Sequence, residues 1–164
     1  MGRLSLGRSG YSQITITRLR NPYLRRRRCT SVVRVTATAL VVREGRALLG
    51  RRTSTVRFAG MWDAFGGHLE PGESPEDALR RELREELGIR VDAARFLEVY
   101  EDVDPTSGET FRHHLFLVTG WGGETRIANE EHAEVRWFRP DEVGNLDLTS
   151  HLKSAIHERV SANP

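Results

Sequence analysis

Val33 to Val42 is rich in Val, Thr and Ala, which pack well on a pleated surface, and it reads as a strand. Glu44-Gly45 predicts a turn, and Arg46 to Arg51 returns as a second strand. Met61 to Phe65 predicts a short strand that leads into a glycine loop. The period changes after residue 74. Leu79, Leu83 and Leu87 recur every fourth position, the spacing of one apolar helix stripe that can pack on a core. Ser74-Pro75 suits an N-cap followed by proline at the first helical position, with Glu76 and Asp77 in the first turn. Ser74 and Asp77 have capping-box spacing, with Asp in place of the usual Glu or Gln. Gly88 fits the stop just beyond the helix. Val91 to Val103 and Thr110 to Thr119 predict a hairpin around Asp104-Pro105-Thr106-Ser107-Gly108. Gly120 to Gly123 reads as a breaker and Ala133 to Phe138 as a short strand. Pro140 starts a helical turn, and Ser150 to Val160 reads as a terminal helix. There is no internal repeat.

The polar side of the predicted helix carries the chemistry. Glu82, Glu85 and Glu86 stand at i, i+3 and i+4, so their carboxylates share about 100° of arc. Three like charges at that spacing repel, and a helix gains nothing from them alone. A hard divalent cation needs such an oxygen cluster, and Mg²⁺ binds carboxylates together with substrate phosphates. Gly67 and Gly72, just upstream, suit a loop with unusual backbone angles. Glu73 and Arg81 are placed to pair and tie that loop to the helix. The segment predicts a metal site that works on a phosphate ester or anhydride.

Gly67, Glu73, Arg81, Glu82, Glu85, Glu86 and Gly88, with apolar Leu83 and Ile89, fill every position of the pattern G-x5-E-x7-R-E-U-x-E-E-x-G-U, where U is apolar. This segment resembles the Nudix box, and the likeness extends over about residues 32 to 160. The resemblance implies an α/β fold, an α/β/α sandwich around a mixed sheet. It implies hydrolysis of a nucleoside diphosphate linked to another group. Mg²⁺ or Mn²⁺ would be held by Glu82, Glu85 and Glu86, with the backbone carbonyl of Gly67, and Glu73 with Arg81 would be a structural ion pair.

Length and charge set the frame. At 164 residues the chain fits one domain of ordinary size. No apolar run approaches a membrane-spanning length. The single cysteine, Cys29, has no partner for an internal disulfide, which permits a reducing compartment. A net charge of +2 hides an asymmetry. Residues 1–30 hold eight arginines and no acids, which leaves residues 31–164 with 17 basic against 23 acidic residues, a net of −6. Residues 1–30 are therefore expected to be a flexible basic extension, and 31–164 the catalytic domain. Arg25 to Arg28 is a run of the kind that contacts nucleic acid or anionic lipid, and the acid-free composition also resembles a transit peptide. Ile14 and Ile16 alternate with threonines as in a strand.

Outside the box, Glu130, Glu131 and Glu134 precede Trp137-Phe138. Nucleotide-sanitising relatives place a carboxylate six residues before this tryptophan, which points to Glu131 as a further ligand or base. His113 and His114 fall on opposite faces of a strand. His68 sits inside the glycine loop and His132 beside the acidic cluster, and each is a candidate acid or base. Trp62 and Phe65 are expected in the core, with base stacking as the alternative. Metal-assisted hydrolysis needs no covalent nucleophile, and Glu82 or Glu131 is the expected base. The segments 60–74 and 136–143 resemble the nucleoside-triphosphate branch, including MutT-type hydrolases of oxidised nucleotides and CTP pyrophosphohydrolase. Pro105 lies sixteen residues after Ile89, close to the spacing of ADP-ribose hydrolases, so a nucleoside diphosphate sugar is the alternative substrate. A non-catalytic nucleotide-sensing domain is a further alternative, although such domains commonly lose box glutamates. A nucleotide is the expected partner, with no membrane or nucleic-acid partner. Monomer and homodimer remain open, and the expected place is cytoplasmic.

Overall fold

The computed structural model describes residues 33–104 and 107–161. The strand expected around Ile14 and Ile16, the extension as a whole and Pro105 lie outside the described residues. The chain order is β1 (Val33–Arg43), β2 (Arg46–Arg52), β3 (Trp62–Asp63), β4 (Phe65–His68), α1 (Pro75–Leu87), β5 (Arg90–Val103), β6 (Thr110–Gly122), β7 (His132–Phe138), a 3-10 turn (Pro140–Asn145) and α2 (Ser150–Val160). The strands form one mixed sheet in the order β3-β2-β1-β6-β5, with β4 paired to β1 and β7 to β2. β1 and β6 run parallel, and the other pairs are antiparallel.

The two helices cover opposite faces. Along β1, Ala37, Ala39 and Val41 face one way and meet Leu79, Leu83 and Leu87 of α1. Leu40 and Val42 face the other way and meet Leu152, Ile156 and Val160 of α2. Alternate strand positions thus feed two separate cores, as a doubly covered sheet requires. Each fully buried leucine contributes on the order of 2 kcal/mol of transfer free energy. No described helix is long and apolar enough to cross a membrane.

Two segments differ from the sequence expectation. Gly66 and Gly67 belong to β4 rather than to a loop, because they pair with Thr38 and Ala37 of β1. Glycine is needed there. Gly66 has φ of 135°, and a Cβ on it would stand 2.0 Å from the Ala37 carbonyl oxygen. Gly120 and Gly122 continue β6 rather than break it, paired with Ala93 and Arg90. Only Gly123, with φ of 94°, turns the chain.

Candidate active site

Helix α1 begins where the sequence places it. Ser74 accepts from the Asp77 N–H, Pro75 opens the first turn, and Gly88 closes the helix in the left-handed region at φ 68°. Its apolar stripe is buried, so its orientation is fixed and the glutamate side turns toward β4. Arg81 organises this side. Its guanidinium makes two parallel hydrogen bonds to Glu73, from Nε to Oε1 at 3.0 Å and from Nη2 to Oε2 at 2.9 Å. Nη2 also donates to the His68 carbonyl oxygen at 2.9 Å, and Nη1 to Glu82 Oε1 at 2.8 Å. The Glu70 N–H donates to Glu73 Oε2 at 2.9 Å, which closes the turn before the helix. Hydrogen bonds from Arg81 hold the Glu73 carboxyl below its ordinary range, and Glu73 in turn raises Arg81. The expected Glu73–Arg81 pair is therefore formed, and it ties β4, the turn and α1 together.

The three glutamates sit in different surroundings. Glu85 is half exposed and faces Arg81 at 3.5 Å. Glu82 lies against Gly67, where a Cβ would stand 2.3 Å from Glu82 Oε1, so only glycine leaves room for this approach. Glu86 is buried, and Oε2 accepts a single hydrogen bond, from the Gly66 N–H at 2.7 Å. Burial is the main force on its carboxyl. Together with the charges of Glu82, Glu131 and Asp63, and against the Gly66 N–H, burial pushes the carboxyl up to about 8.

Glu82 and Glu86, with Arg81, line one side of a cavity of about 870 Å³ that opens beside β4. Glu131 lines the same cavity, its side chain half exposed, with Oε2 3.7 Å from Arg52 Nη2. Arg52 also reaches Asp63, from Nη1 to Oδ2 at 3.6 Å. Asp63 keeps a third of its side-chain surface, yet the protein crowded around it raises its carboxyl to about 6, against the pull of Arg52. On the far wall, Thr36 Oγ1 lies 2.7 Å from His113 Nδ1, and Tyr100 stacks between the His113 and His151 rings at 4.6 and 3.7 Å. Burial lowers His113, so its ring is neutral near pH 7. His114 turns away toward Phe96, and His68 is exposed beside Phe111. Phe65 is wholly buried, which removes it as a base-stacking surface, while Trp62 packs edge-on against Phe138 at 4.7 Å.

Asp63 and Arg52 are among the cavity residues that the pattern of the sequence did not flag. Asp63 enters because β3 pairs with β2, Gly50 opposite Asp63, a contact with no local signal. Among the described residues, no three His, Cys, Asp or Glu side chains stand together as a ready ligand cluster, since Arg81 draws Glu82 and Glu85 to itself. The donor set nonetheless suits a hard divalent cation. It offers oxygens only, and one carboxyl is buried with a single hydrogen bond, at a position that gains from a nearby positive charge.

Three comparisons place this geometry among known proteins. A sequence model of the NUDIX domain matches residues 32–159. The chain is 35% identical over 105 residues to the CTP pyrophosphohydrolase of Escherichia coli K12, covering 64% of this chain and 75% of that protein. It is 36% identical over 106 residues to the oxidized purine nucleoside triphosphate hydrolase of Danio rerio, covering 63% of this chain and 65% of that one. The crystal structure of a MutT NUDIX hydrolase from Burkholderia pseudomallei superposes with a TM-score of 0.71 at 33% identity, covering 77% of this chain and 98% of that chain. With the family match spanning most of the chain, and the mixed sheet, Arg81–Glu73 pair and glutamate helix in place, this chain belongs to the Nudix hydrolase family.

Proposed function

We propose that this protein hydrolyses a nucleoside triphosphate, normal or oxidised, between the α and β phosphates, releasing monophosphate and pyrophosphate. The observation that carries this reading is Glu82 and Glu86 of a complete glutamate box, with Glu131, on the wall of a nucleotide-sized cavity. The relatives named for triphosphates support it.

Glu82, Glu85 and Glu86, with the Gly67 carbonyl, are the groups that would hold Mg²⁺ or Mn²⁺. Such an ion, when bound, neutralises phosphate charge, orients the leaving group and lowers the pKa of water. The chain's own residues do the rest. Arg81 holds Glu82 and fixes the turn through Glu73, so the ligand face is set before substrate arrives. Glu131, or Glu82, accepts the proton of the attacking water. Arg52 keeps Glu131 at the cavity edge. His113, held by the Thr36 hydroxyl and its stack on Tyr100, offers one imidazole nitrogen to the nucleoside.

A substrate panel tests this directly. Pyrimidine triphosphates, an oxidised purine triphosphate and ADP-ribose are each incubated with Mg²⁺ or Mn²⁺, and with excess chelator. Turnover of a triphosphate that chelator abolishes is the expected outcome. Turnover of ADP-ribose alone would move the assignment to nucleoside diphosphate sugars. Nucleotide binding with no turnover would make the domain a sensor.

A further inference from the structure

His132 directly follows Glu131, and the structure gives it an unusual place. β7 pairs with β2 as Gly50↔Val135 and Arg51↔Glu134, then skips Ala133 to reach Arg52↔His132. That β-bulge breaks the alternation of the strand. Ala133 and Glu134 are both exposed, while His132 turns inward and is 4% exposed. Its ring sits 5.1 Å from the Phe65 ring. It also lies against Gly50, where a Cβ would stand 2.3 Å from the imidazole Cδ2. Any other residue at position 50 would push the ring out. Two features of β2 and β7, a bulge and a glycine, thus serve to seat one imidazole.

That imidazole is unsatisfied. Neither Nδ1 nor Nε2 has a hydrogen-bond partner among the described residues. Buried polar groups are rarely left so, and each exception needs a reason. The nearest charged atom is Glu86 Oε1, 3.8 Å from Nδ1. The other carboxylate oxygen already takes the Gly66 N–H. The same segment grips α1 at the backbone, with the Ala128 N–H donating to the Glu86 carbonyl oxygen at 2.9 Å and the Arg126 N–H to that of Leu87 at 3.1 Å. The Nδ1 to Oε1 separation exceeds the usual N–H···O length of about 2.9 Å by roughly 0.9 Å.

We propose that His132 is a positioning residue, donating from Nδ1–H to Glu86 Oε1 and so fixing the carboxylate that holds the cation. Gly66 and His132 then hold one oxygen each, and each oxygen keeps a lone pair for the ion. The buried ring also anchors its neighbour Glu131 at the cavity edge. This inference rests on Glu86 being a cation ligand.

Two variants separate a hydrogen-bonding role from a packing role. His132→Phe keeps an aromatic ring and removes both donors. His132→Asn returns an N–H near the place of Nδ1. Free Mn²⁺ is followed by electron paramagnetic resonance during titration, alongside kcat, KM and circular dichroism. Outer groups that orient ligands typically change metal affinity about 10- to 100-fold. His132→Phe should weaken Mn²⁺ binding and lower kcat by about tenfold or more, with nucleotide KM nearly unchanged, and His132→Asn should recover most of both. Wild-type Mn²⁺ affinity in His132→Phe, or equal losses in the two variants, would overturn the inference while leaving the metal site intact. No Mn²⁺ binding by the wild type would overturn the metal site and this inference with it. A measurement on the unaltered protein stands even if a variant fails to fold. Long-range ¹H–¹⁵N spectra of the Mg²⁺-loaded wild type should show the proton of His132 on Nδ1, and a proton found only on Nε2 would refute the donor role.

Discussion

Glu86 concentrates the tension of the site in one side chain. Its carboxyl moves from an ordinary value of 4.5 to about 8 in the fold, chiefly because it is buried. Between those values the folded chain keeps a proton that the unfolded chain releases. Stability must therefore fall as pH rises through this window in the absence of a cation. Glu86→Gln has no proton to lose there. The melting temperature of the cation-free wild type, measured against Glu86→Gln, should decline from about pH 5 to about pH 8.5, and divalent cation should restore more of it at the alkaline end. A constant gap across that range would contradict the burial account. Glu82, Glu85 and Glu86 were legible in the sequence because helical spacing is local. Their unequal surroundings were not, since those depend on Gly66, Gly67 and His132 arriving from other elements. Asp63 was illegible for the same reason, being placed by a ladder partner 13 positions away.

At the scale of the element, α1 is the scaffold, and local signals fixed it: Ser74, Pro75, the leucine stripe and Gly88 all act as their chemistry predicts. Losing the cap in Ser74→Ala should cost about 1 kcal/mol, and Leu83→Ala, which opens a hole in a wholly buried position, about 2–5 kcal/mol. Urea unfolding measures both, and equal costs would mean that α1 is held by its end rather than by its face. β4 shows the opposite case. Gly66-Gly67 carries the signal of a loop, yet the same lack of Cβ that suits a loop lets these residues lie close to β1 and to Glu82. The glycines of β6 behave alike. Gly120 packs under Ala93, where a Cβ would stand 3.0 Å from the alanine Cβ, so its smallness serves pairing rather than turning.

For the whole molecule, the doubly covered sheet sets carboxylates from two places on one cavity, Glu82 and Glu86 from α1 and Glu131 from just before β7. Nothing in residues 1–30 supplies an acid to that arrangement. A chain beginning near Ser31 should therefore fold and turn over the same substrate at an unchanged rate. An insoluble or inactive product under matched conditions would make the extension part of the domain. The central claim is that the cavity cuts a triphosphate between its α and β phosphates with carboxylate-held metal. Phosphorus NMR of a triphosphate incubated with Mg²⁺ and the wild-type protein reads the products directly. The account predicts monophosphate and pyrophosphate signals growing in equal amounts, slowed at least about 10²-fold in Glu86→Gln. Diphosphate with inorganic phosphate, or turnover in Glu86→Gln at the wild-type rate, would contradict it.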